Sequence, residues 1–516
     1  MAVLRRFLAI LLADLRERTR STRFWALLAA MAVVTWWCFP NPGDHYMILS
    51  VGGGARGAYS SAWVGMVVAM AYTMLLGLGG FYLVRGTLVR DIDTRVWQLL
   101  VATPMTRGGF LLAKWTSHMV VLSILVVVGL GVGLVAQWLR AEDHSIDLLQ
   151  LAKPVLLLSL PGLAMTSMAA IWFDLLPWLR RTMGNVLFFI LWITALSISI
   201  ANLETPGSGL RTGWLSDPNG LVMVARDIRR VRMEQTGKPQ GFALSLGSPR
   251  PDAGPVVFAW KQWNVRPMDV LGRALWLLFA LTGVALAAPV LDWAAARGAP
   301  AAKLLLRSGS RLRWLDRLLA PFARGPFGVL AVAELKLSLR ERRRWWWLTA
   351  LVALGLQAFG SAEALRIGML LAWLLPLDVL SRAILRETEH RTGELVFTAA
   401  GMRGRLLGVR FACAMVLVLG LGLPGIARLA VSAPASALAA LLVAASIVSW
   451  GLCLGALCRN PRPFELLLVF GLYLGMQGAP LFDPAAHAQL AALWHGVALL
   501  PAWLALAWAW PRLARR

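Results

Sequence analysis

Residues 110–138 read FLLAKWTSHMVVLSILVVVGLGVGLVAQW, and Lys114 and His118 are the only ionisable side chains in the stretch. A helix needs about 20 apolar residues to cross the hydrocarbon core of a bilayer, so this segment is long enough to span. Working outward in both directions, about twelve segments of this kind occur. In the first half they are 24–39, 61–84, 110–138, 154–176, 184–203 and 270–293; in the second, 345–360, 365–385, 406–431, 436–457, 464–481 and 490–510. The first and seventh are short. The composition agrees: of 516 residues 58% are hydrophobic and 15% charged, with mean hydropathy +0.66, whereas soluble domains carry roughly 25% charged residues. An all-α polytopic membrane protein with about 12 transmembrane helices is the fold class this implies. A disordered tail protein, a coiled coil and an ordinary soluble enzyme are excluded.

The net charge of +25, from 51 Lys and Arg against 26 Asp and Glu, is distributed as a topology signal, so nucleic acid is not needed to explain it. Basic residues gather in one set of loops: Arg5 to Arg23, Arg85 to Arg107, Arg180 and Arg181, the linker from Arg297 to Arg344, Arg386 to Arg405, Arg459 and Arg462, and the C-terminal arginines. Residues 432–435 and 482–489, on the opposite side, contain no Lys or Arg. Cytoplasmic loops carry the excess of Lys and Arg, which puts both termini in the cytoplasm. The segment 204–269 faces outward and yet holds Arg226, Arg229, Arg230 and Arg232. Long loops translocate largely regardless of charge. Its one apolar-periodic stretch, Leu221 to Met233, is expected to form a short amphipathic helix, with the basic cluster either a solvated face or a site for an anionic substrate or lipid headgroups.

At the N-terminus, Leu4, Phe7, Leu8, Leu11, Leu12 and Leu15 follow the spacing of one helical face. Asp14, Arg16, Glu17 and Arg18 follow without a small-residue cleavage site, so residues 1–23 read as an amphipathic surface helix and not as a signal peptide. The motif Leu15-Arg16-Glu17-Arg18 recurs as Leu339-Arg340-Glu341-Arg342 before the seventh segment. A second correspondence aligns Arg90-Asp91-Ile92-Asp93-Thr94-Arg95 with Arg386-Glu387-Thr388-Glu389-His390-Arg391, and continues without a gap to Lys114 on Arg410. Self-similarity of this kind marks an internal repeat. The chain therefore divides into a surface helix 1–23, a first six-span half 24–293, a cytoplasmic linker 294–344 with a second surface helix, and a second six-span half 345–516. The halves run parallel, a plan known in transporters.

No catalytic constellation is present. Gly237-Lys238 lacks the upstream glycine of a P-loop and is followed by Pro239, so the chain is not expected to hydrolyse ATP itself. Gly420-Leu421-Gly422-Leu423-Pro424-Gly425 formally matches a dinucleotide fingerprint but lies within an apolar span, where a kinked, closely packed helix is the better reading. The four cysteines show no C-x-x-C spacing, and no clustered His or carboxylates point to a metal. Asp378 stands four residues before Arg382, a spacing that makes either a structural ion pair or part of a substrate path. The repeated charged segment is the strongest constellation: a charged helix start, an apolar middle and a basic return to the membrane describe a short helix across the ends of the spans, able to transmit a push from a soluble partner.

In these features the chain resembles the ABC transporter permeases of the type-2 exporter family. Residues 1–22, 85–109 and 204–269 fall where those permeases have an amphipathic connecting helix, a coupling helix and an enlarged outer region. The family's run of an acidic residue, Gly-Glu-Leu, proline and basic residues is divided between the halves. The second has Glu387, Gly393, Glu394, Leu395 and Arg403 with Ala400 in place of proline; the first has Thr103, Pro104, Arg107 and Lys114 with Trp97 in place of glycine. The resemblance implies a bacterial inner-membrane exporter subunit. It also implies that two cytoplasmic ATPase subunits, which bind the ATP and Mg, dock through Asp91, Asp93, Arg95, Pro104, Arg107, Glu387, Glu389, Glu394 and Arg403. Two other classes compete: an ion-coupled secondary carrier of six plus six spans, whose signature Gly86-Thr87-Leu88-Val89-Arg90-Asp91 matches poorly, and a non-transporting ATPase-linked membrane scaffold.

Overall fold

The computed structural model describes residues 2–41, 46–51, 54–93, 106–140, 142–180, 182–204, 217–236, 244–249, 256–298, 317–340, 342, 344–390, 392–399, 401–476 and 480–514. Among them, nine helices are long and apolar enough to cross a membrane. Each of the twelve apolar segments is built around a helix, but Thr22–Trp37, Arg344–Phe359 and Arg462–Met476 have only 16, 16 and 15 residues. At 1.5 Å per residue such helices cover about 24 Å, short of the roughly 30 Å core. The chain forms two compact units, Met1–Pro300 and Ala301–Arg516.

The first unit opens with α1 (Ala2–Thr19) and α2 (Thr22–Trp37), followed by strands β1 (Tyr46–Val51) and β2 (Ala55–Gly57). The helices α3 (Ser61–Val84), the short α4 (Thr87–Asp93) and α5 (Arg107–Arg140) come next. The chain returns through α6 (Leu148–Pro154), a π turn at Val155–Ser159 and α7 (Leu160–Leu175). Pro154 and Pro161 each lack an amide donor, and the π turn between them absorbs the break in the ladder. There follow α8 (Thr182–Glu204), α9 (Leu221–Thr236), β3 (Leu244–Pro249), β4 (Val256–Phe258), α10 (Pro267–Leu286) and α11 (Ala288–Gly298).

The four strands form one sheet in the order β3-β1-β2-β4, a departure from the all-α expectation. β1 pairs antiparallel with β3, Tyr46 opposite Pro249 and Val51 opposite Leu244, while β2 and β4 run parallel. Beneath the sheet Trp63, Trp260 and Trp263 are fully buried, and the Trp63 ring meets Phe258 edge-on at 5.5 Å. The Arg56 guanidinium grips Glu142 with two hydrogen bonds, and Tyr59 N donates to the same carboxylate at 2.9 Å.

The predicted amphipathic helix of the outer segment is α9; Arg230 lies on an exposed face and pairs within the helix, whereas Arg226, Arg229 and Arg232 reach other elements. Arg226 pairs with Asp269 at 3.0 Å, Arg230 with Asp227 at 2.6 Å, and Arg229 donates to Leu203 O at 2.7 Å. Arg232 is buried and donates to Val51 O in the sheet. Arg226, Arg229 and Arg232 thus tie α9 to its neighbours.

The second unit contains α12 (Gly325–Arg340), α13 (Arg344–Phe359), α14 (Ala362–Leu374), the short α15 (Leu377–Arg382), α16 (Arg386–His390) and α17 (Gly393–Phe397). The long helices α18 (Met402–Ser432), α19 (Pro434–Cys458), α20 (Arg462–Met476) and α21 (Ala488–Ala514) complete it. Pro424 interrupts α18, and the buried amide of Gln357 inserts at that point: its Nε2 donates to Leu421 O at 3.0 Å, and its Oε1 accepts from Gly425 N at 3.1 Å. A Cβ on residue 425 would lie 2.8 Å from that Oε1. Close packing, which the sequence predicts for the whole stretch, holds at Gly425 and not at the exposed Gly420.

Candidate functional site

In the first unit the segment after α3 is set by Gly86, whose φ of 90° lies in the left-handed region that favours glycine. Its amide donates to both carboxylate oxygens of Asp174, at 3.0 and 2.8 Å. The Arg85 guanidinium donates to Asn185 Oδ1 and Leu179 O and stands 3.8 Å from Asp174. The end of α3 is thus fixed to the ends of α7 and α8, and α4 starts from a rigid base.

Lys114, near the start of α5, lies between two carboxylates. Its Nζ is 3.0 Å from Asp14 Oδ1 on α1 and 2.8 Å from Asp91 Oδ2 on α4. Asp14 also accepts from the Ser117 hydroxyl and pairs with Arg18 at 3.4 Å. Burial pushes the Asp14 carboxyl up, but Lys114, Arg18 and the Ser117 hydroxyl outweigh it, and its pKa falls to about 2. Apolar packing supports the same junction, with Leu88, Phe110, Leu111, Ile171 and Leu291 forming a buried cluster against which Ile10 packs.

The second unit repeats the arrangement with different side chains. Arg410, near the start of α18, pairs with Glu334 on α12 at 3.0 Å and with Glu387 on α16. Arg386 also bonds Glu334 and donates to Ser338 Oγ at 2.9 Å. Asp14 and Lys114 are 8% and 6% exposed, Glu334 and Arg410 7% and 3%. These are therefore buried ion pairs, whose loss of one partner strands a charge, and not surface pairs of little worth. Each is a clamp: one buried cation holds an acid of α1 or α12 and an acid of α4 or α16 together near the start of a long helix.

Several residues singled out in the sequence belong to these clamps. Asp91 and Glu387 supply the charged-segment acids. Asp93 ends α4, Glu389 lies in α16 and Glu394 in α17, but their side chains, like Arg95 and Pro104 as a whole, lie outside the described residues. Arg107 is apart from the clamp and pairs with Asp292 on α11. Arg403 is exposed on the first turn of α18, where its carbonyl accepts from Trp510 Nε1 at 2.9 Å. Asp378 and Arg382 do meet, at 3.2 Å, and Arg342 joins them, 3.0 Å from Asp378. This triad links α15 to the chain just after α12.

Sequence reasoning aligned Lys114 with Arg410 but missed both as hubs, along with Asp14 and Glu334. The signal for Asp14 was available: it stands seven residues after Phe7 and three after Leu11, on the apolar face of its helix. Among the described residues no group of three or more His, Cys, Asp or Glu side chains could hold a metal ion. No protein-family model, curated protein or solved structure matches the chain.

Proposed function

We propose that this chain is the membrane-spanning permease of an ATP-driven ABC exporter of the type-2 family, in a bacterial inner membrane with both termini cytoplasmic. In this reading it comprises two parallel six-span halves, and two copies of a separate ATPase subunit, which bind ATP and Mg, dock on the segments 85–109 and 386–405. The observation that carries the reading is the pair of clamps. A buried Lys or Arg at matched positions joins the surface helix to the charged segment in both units. A like junction in each unit supports a permease driven by two ATPase subunits, although the two surface-helix acids stand at different positions of the repeated motif, Ser338 aligning with Asp14 and Ile10 with Glu334.

The clamp supplies a mechanism for transmission. Sliding α4 past α1, or α16 past α12, would separate a buried cation from a carboxylate and leave an uncompensated charge. The segment and the surface helix therefore move as one body, and they carry with them the first turns of α5 or α18. ATP-driven closure of the partner subunits would in this way tilt the spans. The three short helices cross with the help of local bilayer thinning and interfacial side chains, with Trp36 and Trp37 at one such end.

The test is whether an adjacent reading frame encodes a P-loop ATPase and whether, when the full chain is purified by a tag from cells expressing both, that ATPase comes with it. The account expects that ATPase to co-elute at two copies per chain. Elution of the chain without an ATPase would overturn the proposal and favour an ion-coupled carrier.

A further inference from the structure

The short helices α2, α13 and α20 each stop beside an arginine of a neighbouring helix. The last carbonyls of a helix have no partner within it, and leaving them bare in a bilayer is costly. Just past α2, Phe39 O accepts from Arg140 Nε at 3.1 Å and from its Nη2 at 2.7 Å. At the end of α20, Gly475 O and Met476 O accept from Arg366 Nη2 at 2.8 and 2.6 Å. At the end of α13, Gly360 O accepts from Arg428 Nη1 at 2.6 Å and Gln357 O from the same nitrogen at 3.4 Å. A guanidinium brings to such a place both a fork of donors and a positive charge for the negative end of the helix dipole.

Arg428 differs from the other two in what its remaining donors meet. Arg140 also bonds the Asn41 side chain and lies over the Trp36 ring at 5.2 Å, and Arg366 stands 3.5 Å from the Asp483 carboxylate. Arg428 is exposed, and among the described residues its Nε and Nη2 have no hydrogen-bond partner and no carboxylate within ion-pair distance. The surface around it is apolar. Phe359, next in the chain to the capped Gly360, is 92% exposed; Val431, three residues further along α18, is 91% exposed, and Leu423 is exposed as well. An open cation within an apolar, membrane-facing surface is expensive unless an anion meets it. The anion that a bilayer supplies at the edge of its hydrocarbon is the phosphate of a phospholipid.

We propose that the end of α13 is a phospholipid site, in which Arg428 holds the lipid phosphate through Nε and Nη2 while its Nη1 caps the helix, and an acyl chain lies along Phe359. The Nε and Nη2 hydrogens form the edge of the guanidinium that meets two oxygens of one phosphate side by side. One side chain thus ties a helix end to a headgroup. The headgroup is drawn to the level at which α13 stops, which is the local thinning that a 16-residue helix requires. The proposal rests on the chain crossing a bilayer and stands whether or not an ATPase docks on it.

Arginine modification by phenylglyoxal, read peptide by peptide in the unmutated full chain, tests it. The chain is purified in a maltoside detergent, which carries no phosphate, and modified alone or after addition of dioleoylphosphatidylcholine, dioleoylglycerol or millimolar inorganic phosphate. Dioleoylglycerol has the same acyl chains without the phosphate, so it reports mere coverage by lipid. Arg366, whose guanidinium faces Asp483, is the internal reference. Dioleoylphosphatidylcholine is expected to slow modification of Arg428 severalfold relative to Arg366, and neither dioleoylglycerol nor inorganic phosphate is expected to do so. Equal rates at Arg428 with dioleoylphosphatidylcholine and dioleoylglycerol would overturn the proposal. Protection by inorganic phosphate as strong as that by the phospholipid would also overturn it, since the site would then take a free anion.

Discussion

Lys114 and Arg410 perform one task with different geometries. The ammonium reaches Asp14 and Asp91 with separate donors, whereas the guanidinium uses its planar fork on Glu334 and Glu387. Arg410→Leu would leave Glu387 buried without its cation and should destabilise the second unit by about 3 kcal/mol or more. Arg410→Lys, which copies the first unit, should recover most of that loss; apparent melting temperatures in detergent check both. Asp14 adds a pH dependence. Its folded pKa of about 2 lies below the ordinary 3.8, so its contribution is present in full above 3.8 and is lost as pH falls through that interval. At about 1.4 kcal/mol per pKa unit the contribution is roughly 2 kcal/mol. Asp14→Asn should flatten the acid limb of the melting-temperature profile between those values; an unchanged limb would remove Asp14 from the clamp. Gln357→Leu should cost about 1–3 kcal/mol, since it orphans Leu421 O and Gly425 N where Pro424 has already broken the helix. These residues were only partly legible in the sequence. A carboxylate on an apolar face and a lysine in a hydrophobic run announce that each has a partner, but they do not say which one across about 100 residues.

At the scale of elements, helical periodicity and span length located the nine helices of membrane-spanning length, because both signals are local. The sheet left no comparable trace. β1 is six residues long, and its partner β3 lies almost 200 residues further on. Short strands flanked by glycine read as loop until the partner is known. The arginines of α9 were misread for the same reason, since Asp269, Leu203 O and Val51 O come from three other elements. Asp227 holds this region together: it accepts from Trp260 Nε1 at 3.0 Å and from Asn264 N at 3.4 Å while pairing with Arg230. Asp227→Ala should therefore speed amide hydrogen exchange across residues 256–264 severalfold while leaving the peptides of α5 and α7 unchanged. Uniform exchange in both regions would show that α9 and the sheet are not coupled through this carboxylate.

At the scale of the whole molecule, the sequence alignment that pairs Asp91 with Glu387 and Lys114 with Arg410 pairs residues that form the same buried bridge in each unit. Nothing in the composition or hydropathy requires that coincidence, and it is the ground for reading the chain as a two-sided receiver of force. The most direct test is ATP hydrolysis by the co-purified ATPase with the full chain in nanodiscs, comparing wild type with Glu387→Lys and Glu394→Lys, each first shown to be folded by size-exclusion chromatography. The account predicts that the chain stimulates hydrolysis and that the charge reversals reduce the stimulated part. Hydrolysis indifferent to the chain, or equal stimulation by wild type and both variants, would contradict it.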